Sequence, residues 1–90
     1  MRVVVIIDVA ASDVDRFRVY EQRVLSLLTR HGGDLQERFH SPDGATEVHV
    51  VRFTDRAGYD AYIADPDRIA AKAELAEDLE IAVRAIFVED

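Results

Sequence analysis

The chain opens on Val3-Val4-Val5-Ile6-Ile7, continued past Asp8 by Val9, a β-branched run with no polar face. Such a run suits a strand covered on both sides and placed centrally in its sheet. Alternation puts Val4, Ile6 and Asp8 on one face and Val3, Val5, Ile7 and Val9 on the other. From Phe17 the period changes. Phe17, Tyr20, Val24, Leu27, Leu28 and His31 recur at three- and four-residue steps, forming one face of a long helix that starts at Ser12 and Asp15. Arg30 and His31 suit the negative end of its dipole, and Gly32 supplies the left-handed residue that stops it.

A period of two returns over Leu35 to His40 and Glu47 to Phe53, two strands folded on each other about Pro42-Asp43-Gly44. With Asp43-Gly44 as the loop tip, His40 faces Glu47 and Arg38 faces His49. That register gathers Gln36, Arg38, His40, Glu47, His49 and Val51 on one face. Leu35, Glu37, Phe39, Val48, Val50 and Arg52 share the other. Thr54 or Asp55 caps a short helix carrying Ala57, Tyr59, Tyr62 and Ile63. Asp65-Pro66 opens a further helix through Ile69, Ala73, Ala76 and Leu79, with Glu74, Glu77 and Asp78 on its solvated side. Ile81 to Val88 is the last strand, with Ala82, Arg84, Ile86 and Val88 on one side and Ile81, Val83, Ala85 and Phe87 on the other.

Strand, helix, strand, strand, helical segment, strand is the order of an α+β fold, a ferredoxin-like βαββαβ sandwich whose antiparallel sheet carries its helices on one face. Residues 1–90 make a single domain. Phe39, Val48 and Val50 are expected beneath the helices. The opposite face, with Val4, Ile6, Val51, Ile86 and Val88, is too apolar for one copy to leave wet. A homodimer that lays sheet against sheet around a barrel-like centre is therefore expected.

Composition narrows the partners. Eleven basic against 18 acidic residues give a net charge of −7 with no basic run, which argues against nucleic acid and anionic membranes. No segment approaches the roughly 18 apolar residues of a membrane span. The start reads as a strand, not a signal peptide, and the absence of cysteine excludes disulfides and thiolate metal sites, so a cytoplasmic protein is expected. There is no phosphate-cradling glycine loop, dinucleotide fingerprint or nucleophile elbow, and no cofactor is called for.

The candidate catalytic group is Arg38, His40, Glu47 and His49 on one hairpin face, with Asp8 and Arg84 brought near from other strands. A histidine facing a carboxylate is how a general base is oriented, so His40–Glu47 can take a proton from a phenol or activated C–H while Arg38 or Arg84 stabilises the resulting anion. The same residues also fit a simpler role as cross-strand charge pairs in an interface or at an exposed edge. His40, His49 and Glu47 are spaced to reach one metal ion, but that spacing is permissive and no metal is assigned. His31 has a structural explanation at its helix end. Tyr20, Tyr59 and Tyr62, together with Phe39, are the candidate ligand-binding residues, either lining a pocket or forming amphipathic core edges.

Arg30-His31-Gly32-Gly33, the hairpin after it, Val50-Val51-Arg52-Phe53 leading into Tyr59-Asp60-Ala61-Tyr62, and Asp65-Pro66 before a helix together resemble the DUF1330-type small proteins of the dimeric α/β-barrel superfamily. The likeness covers nearly the whole chain. It departs at Glu37-Arg38-Phe39-His40, where an arginine-glycine-glycine feature is expected, and in lacking a tryptophan in the second helix. The superfamily includes antibiotic-biosynthesis-type monooxygenases, muconolactone isomerases and haem-degrading enzymes. The resemblance implies a small-molecule-binding homodimer acting on an apolar or aromatic metabolite, with cofactor-independent monooxygenase-, isomerase- or cyclase-like chemistry. The alternative is a non-catalytic dimerisation or regulatory module.

Overall fold

The computed structural model describes residues 1–89. Four strands, β1 (Arg2–Val9), β2 (Asp34–His40), β3 (Thr46–Arg52) and β4 (Ile81–Val88), form one antiparallel sheet in the order β2-β3-β1-β4. Three helices, α1 (Val14–Leu25), α2 (Arg56–Ile63) and α3 (Pro66–Leu75), complete a ferredoxin-like α+β sandwich. β1 takes the inner position its apolar run demands. β2 lies at the edge, where Glu37 and Arg38 suit a strand with one unpaired side.

The hairpin register is the one alternation implies: His40 lies opposite Glu47, Phe39 opposite Val48 and Arg38 opposite His49. Its loop closes through Ser41 N–H to the Thr46 carbonyl (2.9 Å) and Gly44 N–H to the Ser41 carbonyl (2.9 Å). Gly44 takes the positive φ of 74° that this turn needs. Nearer the start of β2 the ladder slips. A bulge at Gln36 sets Leu35 opposite Val51 and Glu37 opposite Val50. Leu35 is thereby returned to the covered side, where it packs with Val51, and not to the face of Phe39.

The assignment of β3 to a face is the main correction. β1 pairs with β3 so that Val3 meets Val51, Val5 meets His49 and Ile7 meets Glu47. Val3, Ile7, Val51, His49 and Glu47 are all buried on the side the helices cover. Val48 and Val50 therefore point to the uncovered face, as does Phe39, which is 56% exposed. Val4, Ile6, Ile86 and Val88 stand on that outer face as expected, each half-buried.

The helices depart from their sequence patterns at the ends. No side chain caps α1, which follows a 3-10 turn over Ala11–Asp13, so Ser12 does not play the role assigned to it. The expected long helix breaks after Leu25 and resumes as a 3-10 turn over Leu28–His31. Gly32 then ends it in the left-handed conformation (φ 74°), with Gly33 N–H bonded to the Leu28 carbonyl at 2.9 Å. Asp55 caps α2 by accepting from Gly58 N–H at 3.0 Å, and Asp65 caps α3 by accepting from Asp67 N–H at 2.8 Å. Gly58 also allows α2 to approach the turn before β2, since a Cβ there would stand 2.6 Å from the His31 carbonyl oxygen. α3 stops at Leu75, leaving Ala76 and Leu79 buried in the turn beyond it. Ala71 faces inward, whereas Ile69 is 57% exposed and Ala73 is exposed.

Candidate functional site

Four side chains from three elements meet under the helices. Arg38 of β2 donates through Nε to Glu47 Oε1 (2.9 Å) and through Nη2 to Glu21 Oε1 of α1. His49 Nε2 lies 3.1 Å from Glu47 Oε1 and 3.2 Å from Glu21 Oε2. Glu21, Glu47 and His49 are only 2–4% exposed, while Arg38 closes the cluster from the strand edge. Carboxylates this deep are tolerated because a guanidinium and an imidazole offset their charge.

The two acids are held in unequal states. Burial raises the Glu21 pKa, and the neighbouring Glu47 raises it further against the opposing effect of His49. Burial would also raise Glu47, but its hydrogen bonds with Glu21, Arg38 and His49 outweigh that and bring it down to about 2. His49 is lowered by burial and raised more strongly by hydrogen bonds to both carboxylates, so its net shift is upward. Glu47 is the fixed anion. Glu21 is the carboxyl with the raised proton affinity, and its buried Oε2 has no well-aligned hydrogen bond.

Glu21 and His49 also line a cavity of about 240 Å³ between sheet and helices. Its walls are otherwise mostly apolar, including Val3, Val24, Phe53 and the three tyrosines, Tyr20, Tyr59 and Tyr62. The exposed lining residues Ile63 and Val83 mark its mouth. Tyr62 donates to the Val24 carbonyl at 3.1 Å, and burial raises its phenol pKa. Phe53 packs edge-on against Tyr59 at 5.7 Å between ring centroids.

Of the expected site residues, the structure brings together Arg38, Glu47 and His49, and separately the three tyrosines. His40 does not join them: exposed at the strand end, it hydrogen-bonds the Ser41 carbonyl through Nδ1 at 3.0 Å. The proposed His40–Glu47 dyad and the His40–His49–Glu47 metal set both fail on that placement. Phe39 lies on the outer face, away from the cavity. Asp8 and Arg84 are also outside the cluster. Asp8 accepts from Thr46 Oγ1 at 2.6 Å, and Arg84 sits beside Ile6 in the register. His31 stands at the end of the 3-10 turn before Gly32, as expected, and lies 2.6 Å from Asp65, whose pKa is held at about 2 chiefly by that contact.

Glu21 was the residue sequence reasoning passed over. It stands one turn after Phe17 and beside Tyr20, and an acid on the apolar stripe of a helix was its signal. Glu21, Glu47 and His49 offer donor atoms within 4.8 Å of one another, a spacing that an ion can use. Here the Arg38 guanidinium already supplies the positive charge between the two carboxylates.

Three solved structures bear on the fold. The Mycobacterium tuberculosis protein Rv0793 is 20% identical, with a TM-score of 0.70 over 100% of this chain and 97% of its own. An antibiotic biosynthesis monooxygenase is 14% identical, with a TM-score of 0.73 over the whole of both chains (100% and 100%). These proteins share this chain's ferredoxin-like α+β fold. A variant of SnoaB, a cofactor-independent oxygenase from Streptomyces nogalater, shares it at 15% identity and a TM-score of 0.69, over 99% of this chain and 92% of that one. No protein-family model and no curated protein sequence matches the chain. None of these likenesses shows the resemblance to DUF1330-type proteins. Among the described residues no helix is long and apolar enough to cross a membrane.

Proposed function

We propose that the chain binds a small aromatic or otherwise apolar metabolite between sheet and helices and takes a proton from it at Glu21. The observation that carries this reading is the buried, charge-compensated Arg38–Glu47–His49–Glu21 network, which opens through Glu21 and His49 onto an apolar cavity. A core needs no such network, because well-packed apolar residues in its place would be about as stable. A carboxyl with raised proton affinity beside a cavity is suited to general-base work. In this reading Glu21 accepts the proton of a phenol or activated C–H, His49 and Arg38 hold the charge balance, and Glu47 fixes the imidazole.

The resulting carbanion or phenolate is electron-rich enough to react directly with dioxygen. An activated methylene would then become a carbonyl, with one oxygen atom retained, the other released as water and the substrate supplying the electrons. The names of two proteins sharing the fold, an antibiotic biosynthesis monooxygenase and a cofactor-independent oxygenase, support that extension. The alternative of a non-catalytic module predicts a solid core where the tyrosines meet, and the cavity lined by Tyr59 and Tyr62 weighs against it.

4-Nitrophenol tests the proton step, because its absorption reports its ionisation. Bound to the wild-type protein it is expected to ionise at lower pH than in free solution, and Glu21→Gln is expected to abolish that shift without preventing binding. Identical titrations in the two proteins would sink the proposal. A homodimer is part of the same reading, supported by the outer face of Val4, Ile6, Val48, Val50, Ile86 and Val88 with exposed Phe39. Sedimentation at micromolar concentration should give twice the chain mass, and a lone 10.1 kDa species would remove that part.

A further inference from the structure

Arg68 is the anomaly of the cavity wall. Acids outnumber bases 18 to 11 in this chain, and Arg16, Arg23, Arg30, Arg38 and Arg56 each pair with at least one carboxylate. Arg68, half-buried on α3, has no carboxylate within ion-pair reach among the described residues, and its buried Nε has no hydrogen-bond partner. Its guanidinium lies over the Tyr62 ring, 5.0 Å from the centroid, at the cavity wall. Lys72, one turn on, lines the same cavity, and among the described residues its Nζ donates to the Ala76 carbonyl at 3.1 Å. Two cations on one helix thus border a mostly apolar cavity in an acidic protein, and among the described residues neither forms an ion pair, Glu21 on the same wall being paired with Arg38.

We infer that the ligand is an aromatic acid, its ring held among the tyrosines and its carboxylate paired with Arg68 and Lys72 at the α3 side of the cavity. This deepens the small-molecule reading above and rests on it. A partly desolvated guanidinium with an open donor favours a planar anion that can accept two hydrogen bonds. Size limits the rest. A cavity of about 150 Å³ accepts benzene, so 240 Å³ suits roughly two fused rings.

The probes are 2-naphthoate and its uncharged analogue 2-naphthamide, titrated into the full chain by calorimetry at neutral pH. The acid is expected to bind at least tenfold tighter than the amide. That preference should fall severalfold in Arg68→Gln, fall to about one when Lys72→Gln is added, survive largely in Arg68→Lys, and be untouched in Arg23→Gln, which alters an exposed cation elsewhere. Circular dichroism confirms that each variant is folded. Equal binding of the two probes to the wild-type protein overturns the aromatic-acid inference while leaving the small-molecule reading intact, and so does a preference that persists in an Arg68→Gln, Lys72→Gln double variant. If neither probe binds, both readings fall.

Discussion

Arg38→Met is expected to lower folding stability by about 2 to 3 kcal/mol, below the range of about 3 to 5 kcal/mol for orphaning a fully buried charge. The arginine is 40% exposed, so water replaces part of what it supplied, but Glu21 and Glu47 behind it are 2–3% exposed and have no other guanidinium. Urea denaturation at neutral pH measures the loss. Adding Glu47→Gln to the variant should recover part of it, because one of the two stranded charges is then gone. The pH dependence has a definite sign. A carboxylate whose pKa is depressed from 4.5 to about 2 contributes stability that is present above its unfolded value and lost as pH falls toward the folded one. Removing Arg38 weakens that depression, so the gap between wild type and variant should narrow as pH is lowered through that window. A neutral-pH change below about 0.5 kcal/mol, within the usual range for a surface substitution, would mean the cluster is not charge-compensated in the way described.

Phe53→Ala should cost more, about 3 to 5 kcal/mol, the range for emptying a buried aromatic site. Phe53 is 2% exposed and locked from several directions. Its backbone N–H bonds the Met1 carbonyl at 2.9 Å, and its ring contacts Tyr59 and Tyr62. Gly33 packs closely against the ring, where a Cβ would stand only 2.9 Å from it. Against a total stability of about 5 to 15 kcal/mol, such a loss should lower the thermal midpoint by more than about 10 °C. Because Phe53 also lines the cavity, Phe53→Leu should keep most of the stability while changing ligand affinity. A thermal melt of Phe53→Ala within a few degrees of wild type would contradict the packing described here.

Much of the fold was legible along the chain because each element carried a local signal. The unbroken run in β1, Gly32 and the Asp65-Pro66 pair each act within a few residues of themselves, and each stands where expected, while the hairpin turn centres one residue earlier than Asp43-Gly44, on Pro42 and Asp43. The candidate site was half legible. Arg38, Glu47 and His49 share a face by register alone, whereas Glu21 arrives from a helix 17 residues before Arg38.

What the amino-acid sequence by itself determined is the order of elements, the hairpin register from Glu37 to the turn and the central place of β1, since period, turn chemistry and β-branching are properties of neighbouring residues. What only the tertiary structure decided is which face of β3 the helices cover. Alternation says that Glu47 and His49 lie together, but a polar strand face is ordinarily read as the wet one. Burying it became favourable only when α1 brought Glu21 and the hairpin brought Arg38 to the same point, and that balance of charge exists in no single stretch of the chain.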